Sequence, residues 1–139
     1  MSHSDPVIAQ LKEQAALAAS NAYSPYSQFP VGAAVISEEG EVYSGCNVEN
    51  ASFGLTQCAE RSALTTAICD GARPGSLLTL LIYTPGNTAH SPCGACRQVM
   101  HELMAEQSLV ISCCDGEDMV RWSPSAYLPD PFVPDVLLK

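Results

Sequence analysis

The sequence predicts an α/β protein, a three-layer α/β/α sandwich around a mixed five-stranded sheet. Three observations carry that expectation. Two apolar runs, residues 77–83 and 108–114, are nearly unbroken, as in strands covered on both faces. Stretches with apolar residues at helical spacing alternate with the strands, giving the order αββαβαββ. Finally, 139 residues with 47% apolar and 15% charged content suit one domain, residues 1–139, with a substantial core.

Each element has a local reason. Asp5 can cap a helix with Pro6 at its first position. Leu11, Ala15, Ala18 and Ala22 then share one face of a helix over 6–22, which Ser24-Pro25-Tyr26 ends. Residues 31–37 and 41–47 read as strands of a hairpin joined by Glu38-Glu39-Gly40. A loop over 48–56 leads into a second helix ending near Gly71, with Ala59, Ala63, Leu64, Ala67 and Ile68 as its apolar face. Ser91 and Pro92 read as the N-cap and first residue of a third helix reaching about Ala105. Beyond the strand at 108–114, Asp115-Gly116 turns the chain into a short strand near 119–122, and the proline-rich tail over 128–139 is expected to run over a surface.

Composition narrows the function classes. The net charge of −9 opposes nucleic-acid binding, which depends on neutralising phosphates, and favours a small substrate. No apolar run approaches the roughly 20 residues a membrane-spanning helix needs. Met1-Ser2-His3-Ser4-Asp5-Pro6 lacks the basic patch and apolar stretch of a secretory signal. Seven cysteines, an odd number with three at metal-ligand spacing, point to a reducing cytoplasm rather than a disulfide scaffold. The low charged fraction hints at surface hidden between subunits.

The chemistry concentrates in Cys58-Ala59-Glu60 and Pro92-Cys93-Gly94-Ala95-Cys96. Cys93 and Cys96 share one face at a helix start, and Cys58 opens the preceding helix. Helix N-termini favour the thiolates that zinc requires. Three thiolates can hold one Zn2+ and leave its fourth position to water, the catalytic arrangement, whereas structural zinc sits in a closed four-ligand cage. Glu60, two residues from the first ligand, is the candidate catalytic proton carrier. Three thiolate charges exceed those of the metal, and Arg61 is the first candidate to offset the excess, Arg97 the second. Two plainer readings stand beside this one: a structural zinc completed by Cys46, Cys69, Cys113, Cys114 or His90, and a redox pair at Cys93 and Cys96.

Further stretches extend the pattern: Tyr23-Ser24-Pro25-Tyr26-Ser27-Gln28-Phe29-Pro30-Val31-Gly32, Gly45-Cys46-Asn47-Val48-Glu49-Asn50-Ala51, Arg61-Ser62-Ala63 and Arg97-Gln98-Val99. In these residues the chain resembles the cytidine deaminase family, in its small homotetrameric class with three zinc cysteines. The resemblance implies hydrolysis of cytidine and 2′-deoxycytidine to the uridine nucleosides and ammonia, in pyrimidine salvage, with one Zn2+ per subunit. It also implies a homotetramer whose sites are shared between subunits. Water would attack C4 of the pyrimidine, and Glu60 would carry its proton to N3 and then protonate the departing amine. Backbone groups at Ala59 and Ser91 would contact the base or leaving group, and Phe29 would pack against the ring. Asn47 and Glu49 would hydrogen-bond the ribose 3′-hydroxyl, and Phe132 would reach a neighbouring subunit's site. Phe53 stands where many relatives have Tyr, so a hydroxyl that could touch the ribose is absent. Gln57 replaces a more usual apolar residue, and residues 84–90 and 128–132 fit the pattern least.

Rival readings follow from the same residues. One is a deaminase of a related cytosine compound such as the antibiotic blasticidin S. A polynucleotide-editing deaminase shares the chemistry but needs a basic groove. Outside enzymes, the rival is a zinc-stabilised binding module with four protein ligands, in which Glu60 is dispensable.

Overall fold

Asp5 opens the first helix, α1 (Pro6–Ala19), its carboxylate accepting from the backbone N–H groups of Val7 at 2.8 Å and Ile8 at 3.4 Å. The computed structural model describes residues 5–138, so Met1 to Ser4 and Lys139 lie outside the described residues. α1 is shorter than the spacing predicts, because Asn21 and Ala22 close tight three-residue turns onto Ala18 and Ala19. Its buried face is Ile8, Leu11, Ala15 and Ala19, while Ala18 and Ala22 are only half-buried.

The remaining elements are β1 (Gly32–Ser37), β2 (Val42–Cys46), α2 (Ala59–Cys69), β3 (Leu77–Tyr83), α3 (Gly94–Leu103), β4 (Met104–Cys113), β5 (Met119–Trp122) and α4 (Pro124–Tyr127). Short 3-10 turns lie at Phe53–Leu55 and Pro134–Val136. The strands form one sheet in the order β2-β1-β3-β4-β5, with β3 and β4 parallel and the other pairs antiparallel, the mixed sheet the sequence predicts. Alternation along the strands separates two cores. Ala34, Leu81, Ile111 and Cys113 meet Ile8, Leu11 and Ala15 of α1. Ala33, Val35, Leu80, Ile82 and Val110 meet Ala63, Leu64 and Ala67 of α2 and Met100 of α3. Helices thus cover both faces, completing three layers.

Two glycines let the outer layers approach. A Cβ at Gly32 would fall 1.8 Å from the Ala15 carbonyl oxygen, and one at Gly45 would fall 2.5 Å from the Ala63 nitrogen. The backbones of α1 and α2 therefore lie directly on β1 and β2.

Three features differ from the sequence reading. α3 begins at Gly94 with Cys93, not Ser91, as its N-cap. β4 starts directly after Leu103, pairing Met104 with Leu77 before its register shifts to pair Leu109 with Thr79. Between β5 and the tail stands α4, which the sequence reading did not anticipate, and it seats Tyr127, only 2% exposed, in the core beside Met100 and Met104. Among the described residues no helix is long and apolar enough to cross a membrane.

Candidate metal centre and pocket

Cys58 is the N-cap of α2 and Cys93 the N-cap of α3, and neither side chain makes a capping hydrogen bond. Their thiols meet each other instead, at 4.0 Å between Cys58 and Cys93 and 3.5 Å between Cys93 and Cys96. All three sulfurs lie within 4.8 Å of one another. Tetrahedral zinc with bonds of about 2.3 Å needs sulfurs roughly 3.8 Å apart, so the cluster fits the ion. Among the described residues no fourth histidine, cysteine or carboxylate joins the three thiols. Cys46, Cys69, Cys113, Cys114 and His90 do not join this cluster.

Glu60 and Arg61 follow on the first turn of α2. Glu60 is only 5% exposed. Burial raises its carboxyl above the ordinary value and the Cys58 charge adds to this, against hydrogen bonds from its own backbone N–H and the Cys96 thiol. Nη2 of Arg61 donates to the Cys58 sulfur at 3.3 Å. The Cys58 thiol is lowered, first by the hydrogen bond it shares with Cys96 and then by Arg61, whereas that same bond and burial raise Cys96. Arg97, the second candidate to balance charge, is engaged elsewhere: Nε donates to the Pro92 carbonyl at 2.8 Å and Nη1 to that of Tyr127 at 3.2 Å.

A pocket of about 230 Å3 opens beside the thiols. Phe29, Asn47, Glu49, Cys58, Ala59, Glu60 and Ser91, all named in the sequence reading, line it. Asn47 and Glu49 also have a second task. Asn47 Oδ1 accepts from Val31 N–H at 2.9 Å and Nδ2 donates to the Phe29 carbonyl at 2.8 Å. Glu49 accepts from the backbone of Tyr26 at 2.9 Å and Ser27 at 3.2 Å, and from the Ser27 hydroxyl, the contact that contributes most to lowering its pKa. The pair anchors the loop that presents Phe29, while the Asn47 amide retains a second donor and acceptor site.

Phe53 and Phe132 do not line this pocket. Phe53 is 76% exposed, edge-on to Tyr26 at 6.0 Å, and borders an adjoining depression. Phe132 is 63% exposed and its backbone is held by Gln98. The wall also contains residues to which the sequence reading gave no part in binding substrate: Ser27, Val31, Thr56, Ile82, Thr84 and His90. Ile82 lies at the C-terminal end of β3, a recurrent place for sites in α/β sheets, and Thr84 directly follows the strand. His90 stacks edge to face with Phe29 at 5.3 Å, a contact no spacing rule announces. Thr56 is delivered by the Val48–Gln57 bridge, whose two backbone hydrogen bonds of 2.9 Å set the approach to Cys58. A wider depression along Glu38, Glu39, Glu41 and Asp70 includes none of these groups.

Comparison with known proteins now decides the family. Residues 7–113 match the family described as the cytidine and deoxycytidylate deaminase zinc-binding region. The chain belongs to this family. A cytidine deaminase of Halalkalibacterium halodurans is 42% identical over 123 residues, 88% of this chain and 91% of that one. Another from Sporosarcina psychrophila is 52% identical over 81 residues, 58% of each chain. The crystal structure of cytidine deaminase from Burkholderia pseudomallei superposes with a TM-score of 0.85 at 43% identity, covering 95% of this chain and 100% of that one. With its thiol cluster, the chain is a zinc-dependent hydrolytic deaminase.

Proposed function

We propose that the chain, as one catalytic domain over residues 1–139, converts cytidine and 2′-deoxycytidine to uridine and 2′-deoxyuridine with release of ammonia. The observation that carries this reading is the buried carboxyl of Glu60 in the same pocket wall as Cys58. When bound by Cys58, Cys93 and Cys96, zinc supplies the Lewis acidity that makes water a competent nucleophile near neutral pH. Glu60 takes the first proton of the attacking water and delivers it to N3; it then takes the second, from the new C4 hydroxyl, and delivers it to the amine, so that the C4–N bond breaks as the C4 carbonyl forms and ammonia leaves. A carboxyl raised by burial suits both tasks, since proton transfer is most efficient when the carrier's pKa is near the working pH. Phe29 packs on the pyrimidine, backbone groups of Ala59 and Ser91 meet the base and amine, and Asn47 and Glu49 hold the ribose. Because that pair also anchors the Phe29 loop, sugar recognition and ring placement are linked.

The wall favours a nucleoside over a nucleotide. It contains the carboxylates of Glu49 and Glu60 and neither lysine nor arginine. A 5′-phosphate there would meet like charge with no lysine or arginine to pair with.

The wider setting we propose is pyrimidine salvage in the cytoplasm by a homotetramer with shared sites. Tyr26 and Phe53, exposed in the depression that adjoins the pocket, support a covering subunit, and the exposed ring of Phe132 is suited to reach a neighbour's pocket.

The test follows the ultraviolet absorbance of cytidine and deoxycytidylate with wild type, Glu60→Ala and metal-stripped protein. Cytidine should be consumed by wild type alone, and deoxycytidylate by none. Deamination by Glu60→Ala at the wild-type rate would end the reading. A dissociated subunit with full activity would end the shared-site part.

A further inference from the structure

Arg97 follows a zinc cysteine directly, yet both of its side-chain hydrogen bonds go to carbonyl groups. One is that of Pro92, the residue in front of Cys93, at 2.8 Å, and the other is that of Tyr127 in α4, at 3.2 Å. Cys93 leaves the helix with extended backbone, φ −69° and ψ 163°, and has no side-chain cap to hold it there. Pro92 is buried and has no N–H of its own to anchor the peptide. The Arg97 backbone N–H closes the same turn onto the Cys93 carbonyl at 3.1 Å. Arg97 thus grips the cap peptide from both its backbone and its side chain.

The far end of this grip is itself fixed. Tyr127 is in the core cluster that contains Cys96 and Met100. The next residue of α3, Gln98, pairs with the Phe132 backbone, donating to its carbonyl at 2.8 Å and accepting from its N–H at 3.4 Å. Two consecutive residues after Cys96 therefore hold the C-terminal segment at two places, and only the first also reaches the Pro92–Cys93 peptide.

We infer that Arg97 is a positioning residue for zinc, whose forked guanidinium locks the Pro92–Cys93 peptide to α4 so that zinc retention depends on the seated tail. The geometry of the fork is essential. A planar guanidinium can bond two carbonyls in fixed directions, whereas a lysine ammonium is a point charge on a flexible stem. The inference concerns the metal alone and holds whichever nucleoside is the substrate.

The test uses zinc-loaded wild type, Arg97→Gln, Arg97→Lys and Gln98→Ala. Three readouts apply: zinc affinity by competition with a chromogenic chelator, the d–d absorption of the cobalt-substituted site, and chymotryptic cleavage after Tyr127. Both Arg97 variants should bind zinc roughly 10–100-fold more weakly, as is common when a group supporting a ligand is lost. Both should alter the cobalt spectrum and open the Tyr127–Leu128 bond to cleavage, while Gln98→Ala keeps wild-type zinc affinity and spectrum. Wild-type affinity in Arg97→Gln would overturn the inference. So would full rescue by Arg97→Lys, which would assign the effect to charge, or an equal loss in Gln98→Ala, which would assign it to general loosening of α3. Arg97→Lys retains the charge and the long stem, so it decides the matter even if Arg97→Gln does not fold.

Discussion

Replacing Arg61 by glutamine removes a cation that donates to the Cys58 sulfur. At the observed separation of 3.3 Å, two unit charges in surroundings with an effective dielectric of about 20 attract by roughly 5 kcal/mol, an upper bound. Much of that is returned as the separated groups regain water, and a hydrogen bond to a charged group is worth about 1.5–3 kcal/mol net. If this interaction strengthens as charge shifts toward the thiolates during the reaction, turnover should fall roughly 10–150-fold. The buried Arg61 Nε has no partner, so truncation leaves no orphan from that bond. The assay is kcat for cytidine on samples with zinc content matched to wild type. A second signature is acid-driven zinc release. Arg61 lowers the Cys58 pKa, and zinc binds the thiolate, so zinc is retained above the thiol pKa and lost as pH falls through it. Without Arg61 that loss moves to higher pH. An unchanged kcat at full zinc loading, with release at the wild-type pH, would refute charge balancing by Arg61.

Three further outcomes are expected. Gly45→Ala drives a methyl group into the Ala63 nitrogen and the Ser62 Cβ, at 2.5 and 2.6 Å, and should cost about 1–3 kcal/mol, lowering Tm by roughly 3–10 °C in a thermal melt. Asp5→Ala removes the α1 cap and should cost about 0.5–2 kcal/mol in urea unfolding while kcat is unchanged, since α1 packs on the face away from the zinc helices. In Asp115→Asn, the β4–β5 turn loses the charged acceptor of the Tyr83 hydroxyl and of Gly86 N–H, the contacts that lower the Asp115 pKa. A depressed carboxyl contributes stability above its unfolded pKa of about 3.9 and loses it as pH falls through the folded value, so the Tm gap from wild type should narrow below that pH. A gap independent of pH would show that the charge is irrelevant.

The succession of helices and strands and the zinc triad were legible because each rests on local chemistry. Leu77–Tyr83 has the bounds its apolar run announces, and Cys-x-x-Cys at a helix start brings two sulfurs together without help from the rest of the chain. The start of α3 was misread because Ser91-Pro92 is a strong capping signal by residue type. The carbonyl that opens the helix belongs to Cys93, and Ser91 becomes pocket wall instead. Tyr127 was hidden among prolines that argue against a helix, although Pro124 stands where a helix tolerates proline best. His90 and Thr84 reach the pocket through the path of the loop after β3. That loop is pinned by Asp118, which accepts from Ala89 N–H at 2.8 Å, and such a partner across the sheet has no imprint on the spacing of residues 84–90.

The use of cysteine at both caps explains why metal site and proton carrier arrive together. A serine or aspartate cap would add about 1 kcal/mol to each helix. Neither cysteine supplies that bond, and each helix start keeps its positive dipole end near the thiolates. That field favours an anion by about 0.3–1 kcal/mol, offsetting much of the missing cap. In α2 the cap is Cys58, and the next turn places Glu60 in the pocket wall and Arg61 on the Cys58 sulfur. Ligand, carboxyl and guanidinium therefore share one rigid turn, whose closeness to the sheet is set by Gly45. Each residue of a helix rotates its side chain by about 100°, so a single insertion between Cys58 and Glu60 would turn the carboxyl away while leaving three thiols able to bind zinc. Such a variant should hold the ion and lose deamination, separating metal capture from proton transfer within one turn of helix.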